Sequence, residues 1–227
     1  GDRRRFGGAY HDRLAEVFRL AIPSGLRILE LGCGRGELLA ALEPSVGVGV
    51  DLSGETLTLA RKAHPGLRFV EADAHEVDLG ETFDVILLSD LINDVWDVQA
   101  VFETVARHAT PSTRVVLNFY SLMWKGPLTT VRRLGLATPL LPQNWLTRED
   151  VTNLFGLVGF EKVRDWDEIL LPLDIPWVSG LANRYLVKIP PFSLLALTHV
   201  MVARPRPIAR DDPPRVSVIV AARNEAG

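Results

Sequence analysis

Three glycines at alternate positions stand in the run Ile28-Leu29-Glu30-Leu31-Gly32-Cys33-Gly34-Arg35-Gly36, where an apolar stretch gives way to helix-forming residues. Glycine tolerates a tight turn and lets a ligand come close to the backbone. Asp51 closes the next apolar stretch, roughly 20 residues after the first glycine, where a carboxylate can accept hydrogen bonds from two ribose hydroxyls. A further acid, Asp73, lies in Val70-Glu71-Ala72-Asp73-Ala74 and could accept from the exocyclic amine of an adenine. These features suit any nucleoside cofactor, and Glu37 narrows the choice. A dinucleotide-binding turn carries its third glycine at that position and holds a pyrophosphate on the positive helix N-terminus. A carboxylate there suits the helix dipole but repels a diphosphate. The pattern therefore favours a phosphate-free nucleoside that carries positive charge, for which Glu30 is a sensible neighbour. A nucleotide-dependent oxidoreductase is the rival reading, and Glu37 stands against it.

The elements around the turn can be read from periodicity. Tyr10, Leu14, Val17, Phe18 and Ala21 share one face of a first helix that Pro23 and Gly25 end. Arg27 to Leu31 reads as a buried strand, Glu37 to Leu42 as a helix, Val46 to Val50 as a second strand, and Arg68 to Glu71 as a third. Ser53 can cap the helix running to about Ala63. Phe83 to Leu88 is almost wholly apolar, as a central strand covered on both faces should be, and Asp97 caps a helix with Val98, Val101, Phe102 and Val105 on its inner side. Arg114 to Asn118 is a further strand. Such alternation predicts a parallel sheet with helices on both faces. Beyond it, about 120–146 and 172–191 read as irregular insertions rich in large residues, including Trp124, Trp145 and Trp177. Between them Thr147 and Asp150 resemble a capping box, and Phe160 to Leu171 is a sixth strand. Leu195 to Ala203 returns as a final antiparallel strand, and 205–215 has linker composition.

Taken together, the glycine turn, Asp51, Asp73 and the strand ending at Ser89-Asp90 resemble the class I S-adenosylmethionine-dependent methyltransferase family over roughly Tyr10 to Asn118. The resemblance implies an α/β, Rossmann-like, doubly wound and mostly parallel seven-stranded sheet, with an antiparallel last strand and lid insertions. It implies S-adenosylmethionine as cofactor and S-adenosylhomocysteine as product. It places Glu30, Gly32, Cys33, Gly34 and Gly36 around the methionine part, Asp51 on the ribose, and Asp73 and Ala74 on the adenine, with Leu52 also among the cofactor-binding residues. Ser89, Asp90 and Leu91 would flank the methyl donor, and Tyr10 and His11 would close over it. If the acceptor is a hydroxyl, its proton must leave; Asp90 is the first candidate to take it, followed by His11 and Tyr120, with Asp94 also near. His108 and His199 read as solvated or capping residues, and Cys33 as a small buried one.

The last residues, Arg215 to Ala226, look like the opening strand and nucleotide-sugar loop of a family 2 glycosyltransferase, with Ala221 where proline is frequent. The expected organisation is thus a methyltransferase domain over 1–204 and the start of a glycosyltransferase-like domain at 216–227. The expected acceptor is a small molecule, a sugar or a lipid-linked glycan. A catalytically silent module that positions the fused glycosyltransferase is the alternative.

Composition sets the outer bounds. The chain has 227 residues, 47% hydrophobic and 23% charged, with a formal net charge of -3. That supplies an ordinary globular core and argues against a dedicated nucleic-acid surface, which needs a basic face. Cys33 is the single cysteine, so no internal disulfide forms, and no Cys/His spacing suits a metal. The start lacks the features of a signal peptide, and the longest apolar run, near Leu194 to Ala203, is too short for a membrane span. A cytoplasmic setting is the expectation, with membrane association conferred by whatever follows the C-terminus.

Overall fold

The computed structural model describes residues 4–133, 143–170 and 177–207. Helix α1 (Arg4–Ala21) precedes β1 (Arg27–Leu31), α2 (Glu37–Ala41), β2 (Val46–Asp51), α3 (Gly54–Ala63), β3 (Arg68–Glu71), β4 (Phe83–Ser89), α4 (Val98–Arg107) and β5 (Ala109–Tyr120). There follow α5 (Lys125–Arg133), α6 (Arg148–Leu157), β6 (Phe160–Glu168), α7 (Val178–Arg184) and β7 (Thr198–Pro205). The strands form one sheet in the order β3-β2-β1-β4-β5-β7-β6. The first five pair in parallel, and β7 runs antiparallel to both of its neighbours. This is the Rossmann-like, doubly wound sheet that the alternation of elements predicted, with β7 wedged between β5 and β6.

Residue alternation decides which helix each strand face meets. Leu29 and Leu31 of β1, with Ile86 and Leu88 of β4, join Val101, Phe102 and Phe155 in the core under α4 and α6. Ile28, Val85 and Leu87 point the other way, into a second core with Leu14, Val17 and Phe18 of α1 and Leu39 of α2. Central strands buried on both faces explain why Phe83 to Leu88 reads as a continuous apolar run. The helix starts follow from local hydrogen bonding. The Ser53 side chain accepts from the Thr56 N–H, Asp97 from the Ala100 N–H, and Thr147 with Asp150 forms a reciprocal capping box.

Several details differ from the sequence reading. Ile22, not Ala21, completes the buried stripe of α1, because the chain is still coiled there, with the Ile22 N–H donating to the Phe18 carbonyl at 2.8 Å. The stretch after Tyr120 is partly regular: a 3-10 turn, Leu122–Trp124, leads into α5. Pro127 does not interrupt α5 because it sits in the first turn, where its missing N–H has no intrahelical partner to lose. The second insertion likewise contains α7 and a short 3-10 turn, Leu186–Lys188, and a further 3-10 turn, Phe192–Leu195, follows it. β5 begins at Ala109 and passes through Pro111, β6 ends at Glu168, and β7 starts at Thr198 and runs through Pro205. The segments 134–142 and 171–176 of the two insertions, most of the 205–215 linker, and the glycosyltransferase-like stretch 216–227 lie outside the described residues.

Candidate active site

The β1-to-α2 turn is held by backbone conformations that favour glycine. Gly32, Gly34 and Gly36 have φ of 72°, 51° and 71°, in the left-handed region. The second constraint at two of them is close packing. A Cβ on Gly32 would come within 2.7 Å of the Leu91 side chain, and one on Gly36 within 2.6 Å of the Phe69 ring. At Gly34 a Cβ would meet no atom within 4 Å. That glycine is therefore small for the sake of the open space beside it.

The space is a crevice of about 660 Å³, lined by His11, Leu14 and Arg19 from α1, by Glu30, Gly32, Gly34 and Glu37 from the turn and α2, and by Ser89 and Asp90 at the end of β4. The carboxyl ends of two adjacent parallel strands thus meet there, the usual ligand position in an open α/β sheet.

Glu30 lies at the bottom of the crevice, only 2% exposed, and its Oε2 has no hydrogen-bond partner. Burial pushes its carboxyl up to about 8; the Leu39 N–H pulls it down, and the Asp51 charge raises it. A buried carboxylate with one oxygen unpartnered is costly to ionise unless a cation pairs with it. Asp51, at the end of β2, accepts from the Gly34 N–H at 2.8 Å through Oδ2 and from the Ser53 N–H at 2.9 Å through Oδ1. A carboxylate has acceptor capacity beyond two such bonds, so Asp51 both braces the turn and can receive hydroxyl donors at its edge.

Asp90 begins a left-handed turn at the end of β4, with φ of 57°, before the 3-10 turn Leu91–Asn93. Its Oδ1 accepts from the Tyr10 hydroxyl at 2.6 Å and from the Asn118 side-chain amide. Burial raises its carboxyl to about 6, against the lowering effect of the Tyr10 and Asn118 hydrogen bonds and the His11 charge. Tyr10 itself is buried, lies 3.4 Å from Thr198 Oγ1, and is pushed well up from the ordinary phenol range by burial and by Asp90.

The expected site residues therefore divide. His11, Glu30, Gly32, Cys33, Gly34, Ser89 and Asp90 line the crevice, and Asp51 is hydrogen-bonded to it through Gly34. Tyr10 lies beneath Asp90 and does not line the crevice; Tyr120 is next to it, with ring centroids 6.3 Å apart. Gly36 and Leu91 pack the turn from behind. Asp73, Ala74 and Leu52 lie to the side of the crevice lining, beyond β3 and β2. Asp73 Oδ1 takes the N–H and the ring of His75, Ala74 is buried in the core, and Leu52 is exposed. Cys33 is buried, and burial raises its thiol. His108 is not solvated: it is the buried C-cap of α4, its Nδ1 donating to the Thr104 carbonyl and its Nε2 accepting from the Leu79 N–H. His199 lies within an ion-pair group with Arg148 and Asp167.

Sequence reasoning passed over Asn118 and Asn93. Asn118 interrupts the apolar run of β5 and is fully buried, which is itself a signal that a partner waits inside. Asn93 accepts from the Tyr120 N–H at 3.0 Å and donates to the Asn144 carbonyl at 2.8 Å, fastening the end of the first insertion beside Asp90.

A parallel sheet with an antiparallel seventh strand, a three-glycine turn, and a buried Glu30 whose Oε2 has no partner resemble the arrangement of S-adenosylmethionine-dependent methyltransferase domains. Comparison with known proteins agrees. Residues 28–112 match the family model described as a methyltransferase domain. The chain is 31% identical over 108 residues to a ubiquinone biosynthesis O-methyltransferase of Bradyrhizobium diazoefficiens, a match covering 44% of this chain and 42% of that protein. It is 27% identical over 194 residues to a 2-phytyl-1,4-naphtoquinone methyltransferase of Thermosynechococcus vestitus, covering 73% and 85%. The crystal structure of an S-adenosylmethionine-dependent methyltransferase from Mesorhizobium loti superposes with a TM-score of 0.65 at 25% identity, covering 85% of this chain and 99% of that one. The cofactor of the domain is S-adenosylmethionine, and the residues of the crevice fit it: the open side of Gly34 leaves room for a ligand at the backbone, and Glu30 has a buried oxygen that a cation would satisfy.

Proposed function

We propose that the domain transfers a methyl group to a hydroxyl of a small-molecule, sugar or lipid-linked glycan acceptor, with Asp90 as general base. The observation that carries this reading is the Asp90 carboxyl, fixed by Tyr10 and Asn118 in the wall of the crevice that also holds Glu30, and raised to about 6. A base in that range is mostly ionised at neutral pH and still able to take a proton.

When bound, the cofactor supplies an electrophilic methyl carbon on a sulfonium. Glu30 would pair with its ammonium, Gly32 and Gly34 would leave the backbone open to it, Asp51 would receive the ribose hydroxyls, and Asp73 with Ala74 would border the adenine. Ser89 and Leu91 flank the donor, while His11 closes the crevice from α1. Asp90 is placed to take the proton that the acceptor's hydroxyl would lose on methylation. Tyr10 orients Asp90, and Tyr120 with the two insertions selects the acceptor. Much of the rate enhancement comes from this alignment, since in-line displacement at an activated carbon needs little else.

The names of the two relatives, both of quinone methyltransferases, support a small-molecule acceptor. The glycosyltransferase-like stretch from Arg215 supports a fused partner domain and a glycan acceptor. The test is turnover with labelled S-adenosylmethionine against phenolic quinone precursors and against glycan pools, followed by identification of the product. Cofactor binding with no methylated product in either pool would replace the proposal with a silent module. An Asp90→Asn variant that binds cofactor normally but turns over slowly would support the assigned base; unchanged turnover would remove it.

A further inference from the structure

Helix α7 is built inside out. Its inward side carries Ser179, Ala182 and Asn183, all buried, and Asn183 Oδ1 accepts from the Leu170 N–H at 2.8 Å. Its outward side carries Trp177, Leu181 and Tyr185 at successive turns, and these are 93%, 58% and 57% exposed. A helix facing water has the opposite arrangement. The exposed apolar surface continues through Ile189, Phe192, Leu194 and Leu195. It also takes in the turn before α5: the Trp124 indole N–H donates to the Leu195 carbonyl at 3.0 Å, and Leu122 and Met123 beside it are exposed. Patches of large apolar residues on this scale mark an interaction surface.

The charge pattern says what kind. The chain holds 28 acidic residues and is net negative, yet no Asp or Glu occurs between Glu103 and Glu149 or between Asp174 and Asp211. Those two stretches supply the whole apolar face, and the charges they bring to it are cations: Lys125, Arg184 and Lys188 are exposed on or beside it. A protein–protein interface core is depleted in charge of both signs. Here the depletion is one-sided. Aromatic and aliphatic side chains bordered by Lys125, Arg184 and Lys188, with the Glu168 carboxylate 4.0 Å from Lys188 buried beneath, match a surface that is anionic outside and apolar beneath.

We propose that the face formed by α7, residues 186–195 and the turn at 122–124 docks on an anionic lipid bilayer. Trp177, Leu181 and Tyr185 enter the headgroup boundary, where rings with a polar edge are favoured, and Arg184 and Lys188 meet lipid phosphates. The docking stands on this surface alone and does not require that methyl transfer be correctly assigned.

The experiment is co-sedimentation of the full chain with vesicles of phosphatidylcholine alone or of phosphatidylcholine mixed with phosphatidylglycerol, at low and high salt. The expected result is binding roughly tenfold or more tighter to the mixed vesicles, weakening with salt. The double variant Trp177→Ser, Leu181→Ser changes only exposed positions, so it should melt as the parent does while losing on the order of tenfold or more of the vesicle affinity. Arg184→Glu should lose the preference for the anionic lipid. No binding to the mixed vesicles, equal binding to both kinds, or full binding by the double variant would overturn the proposal. So would a concentration-dependent dimer that the double variant dissolves while vesicles remain unbound, since the face would then belong to a second copy of the chain.

Discussion

The Tyr10 hydroxyl donates to Asp90 Oδ1 at 2.6 Å, joining α1 to the end of β4 across 80 positions of sequence. Asn118, from the neighbouring strand β5, donates to the same oxygen, and the Asn118 carbonyl oxygen of the side chain accepts the Asp90 N–H at 3.2 Å. The carboxylate is therefore held by donors from two separate elements while burial works against its charge. Asp90 has positive φ at the turn that ends β4, a conformation that Asp tolerates better than most non-glycine residues.

Removing one donor makes the balance visible. Tyr10→Phe should raise the Asp90 carboxyl above its present value of about 6, because the lost hydrogen bond favoured the charged form. If Asp90 is the base, kcat/KM rises with pH as the carboxyl ionises, and the variant's rising limb should move to higher pH. A pH–rate profile checks this, and an unmoved limb separates Tyr10 from the chemistry. The variant should also lose about 1–3 kcal/mol of stability, the scale of a hydrogen bond to a charged group.

Glu30 gives a second pH dependence, in cofactor binding. Its carboxyl lies at about 8 in the folded protein, so it is largely protonated at neutral pH, and a cation must displace that proton. Affinity for S-adenosylmethionine should rise as pH approaches 8, with proton release detectable by calorimetry in buffers of different ionisation enthalpy. The folded state holds this proton more tightly than the unfolded state, so the associated stability is fully present below about 4.5 and is lost as pH rises through about 8. Asp90 acts in the same direction over a lower window, ending at about 6. Without cofactor, melting temperature should therefore fall between pH 6 and 8, by at most about 1.4 kcal/mol of stability per pH unit for one group. Glu30→Gln should flatten that decline and weaken cofactor binding. A variant with unchanged affinity would exclude Glu30 from the site.

How far the sequence went follows from where each signal resides. The Gly32-Gly34-Gly36 turn, Asp51 and the caps at Ser53, Asp97 and Thr147 are local, set by the spacing of a few residues, and they occupy the expected places. The strands through Asn118 were legible because burial on both faces leaves long apolar runs. Long-range pairings left no such trace. Nothing near Tyr10 announces Asp90, and the register of β7 between β5 and β6 depends on strands far apart in the chain. Residues 120–133 misled because Trp, Met and Pro suggest irregularity, whereas Pro127 falls where a helix tolerates it.

Asn93 offers a test of the support under the insertion. Fully buried, it accepts from the Tyr120 N–H and donates to the Asn144 carbonyl, and the Asn144 N–H returns a bond of 2.7 Å to the Asn93 carbonyl. Asn93→Ala removes its hydrogen bonds to two part-buried backbone groups, each worth about 0.5–1.5 kcal/mol. For a chain of this size the melting temperature should fall by roughly 2–12 °C. A smaller insertion effect is expected on cofactor affinity than on acceptor KM, since Asn93 is tied to Tyr120 and Asn144 and does not line the crevice. Equal losses in both would mean that the insertion supports the cofactor side as well.

Gly34 and Gly36 separate binding from folding within one turn. Both have positive φ, so alanine at either position bears a strain of about 1–2 kcal/mol. At Gly36 the added methyl also meets the Phe69 ring at 2.6 Å, which requires that buried ring, α2 or β3 to shift. At Gly34 it enters open crevice and touches nothing. Gly36→Ala should therefore depress the melting temperature more than Gly34→Ala, while Gly34→Ala should weaken S-adenosylmethionine binding out of proportion to its small loss of stability. Melting curves and titration calorimetry on the two variants decide the matter. If Gly34→Ala bound cofactor as tightly as the parent, the open side of that glycine would face only solvent, and the docking of the cofactor against the turn would have to be abandoned.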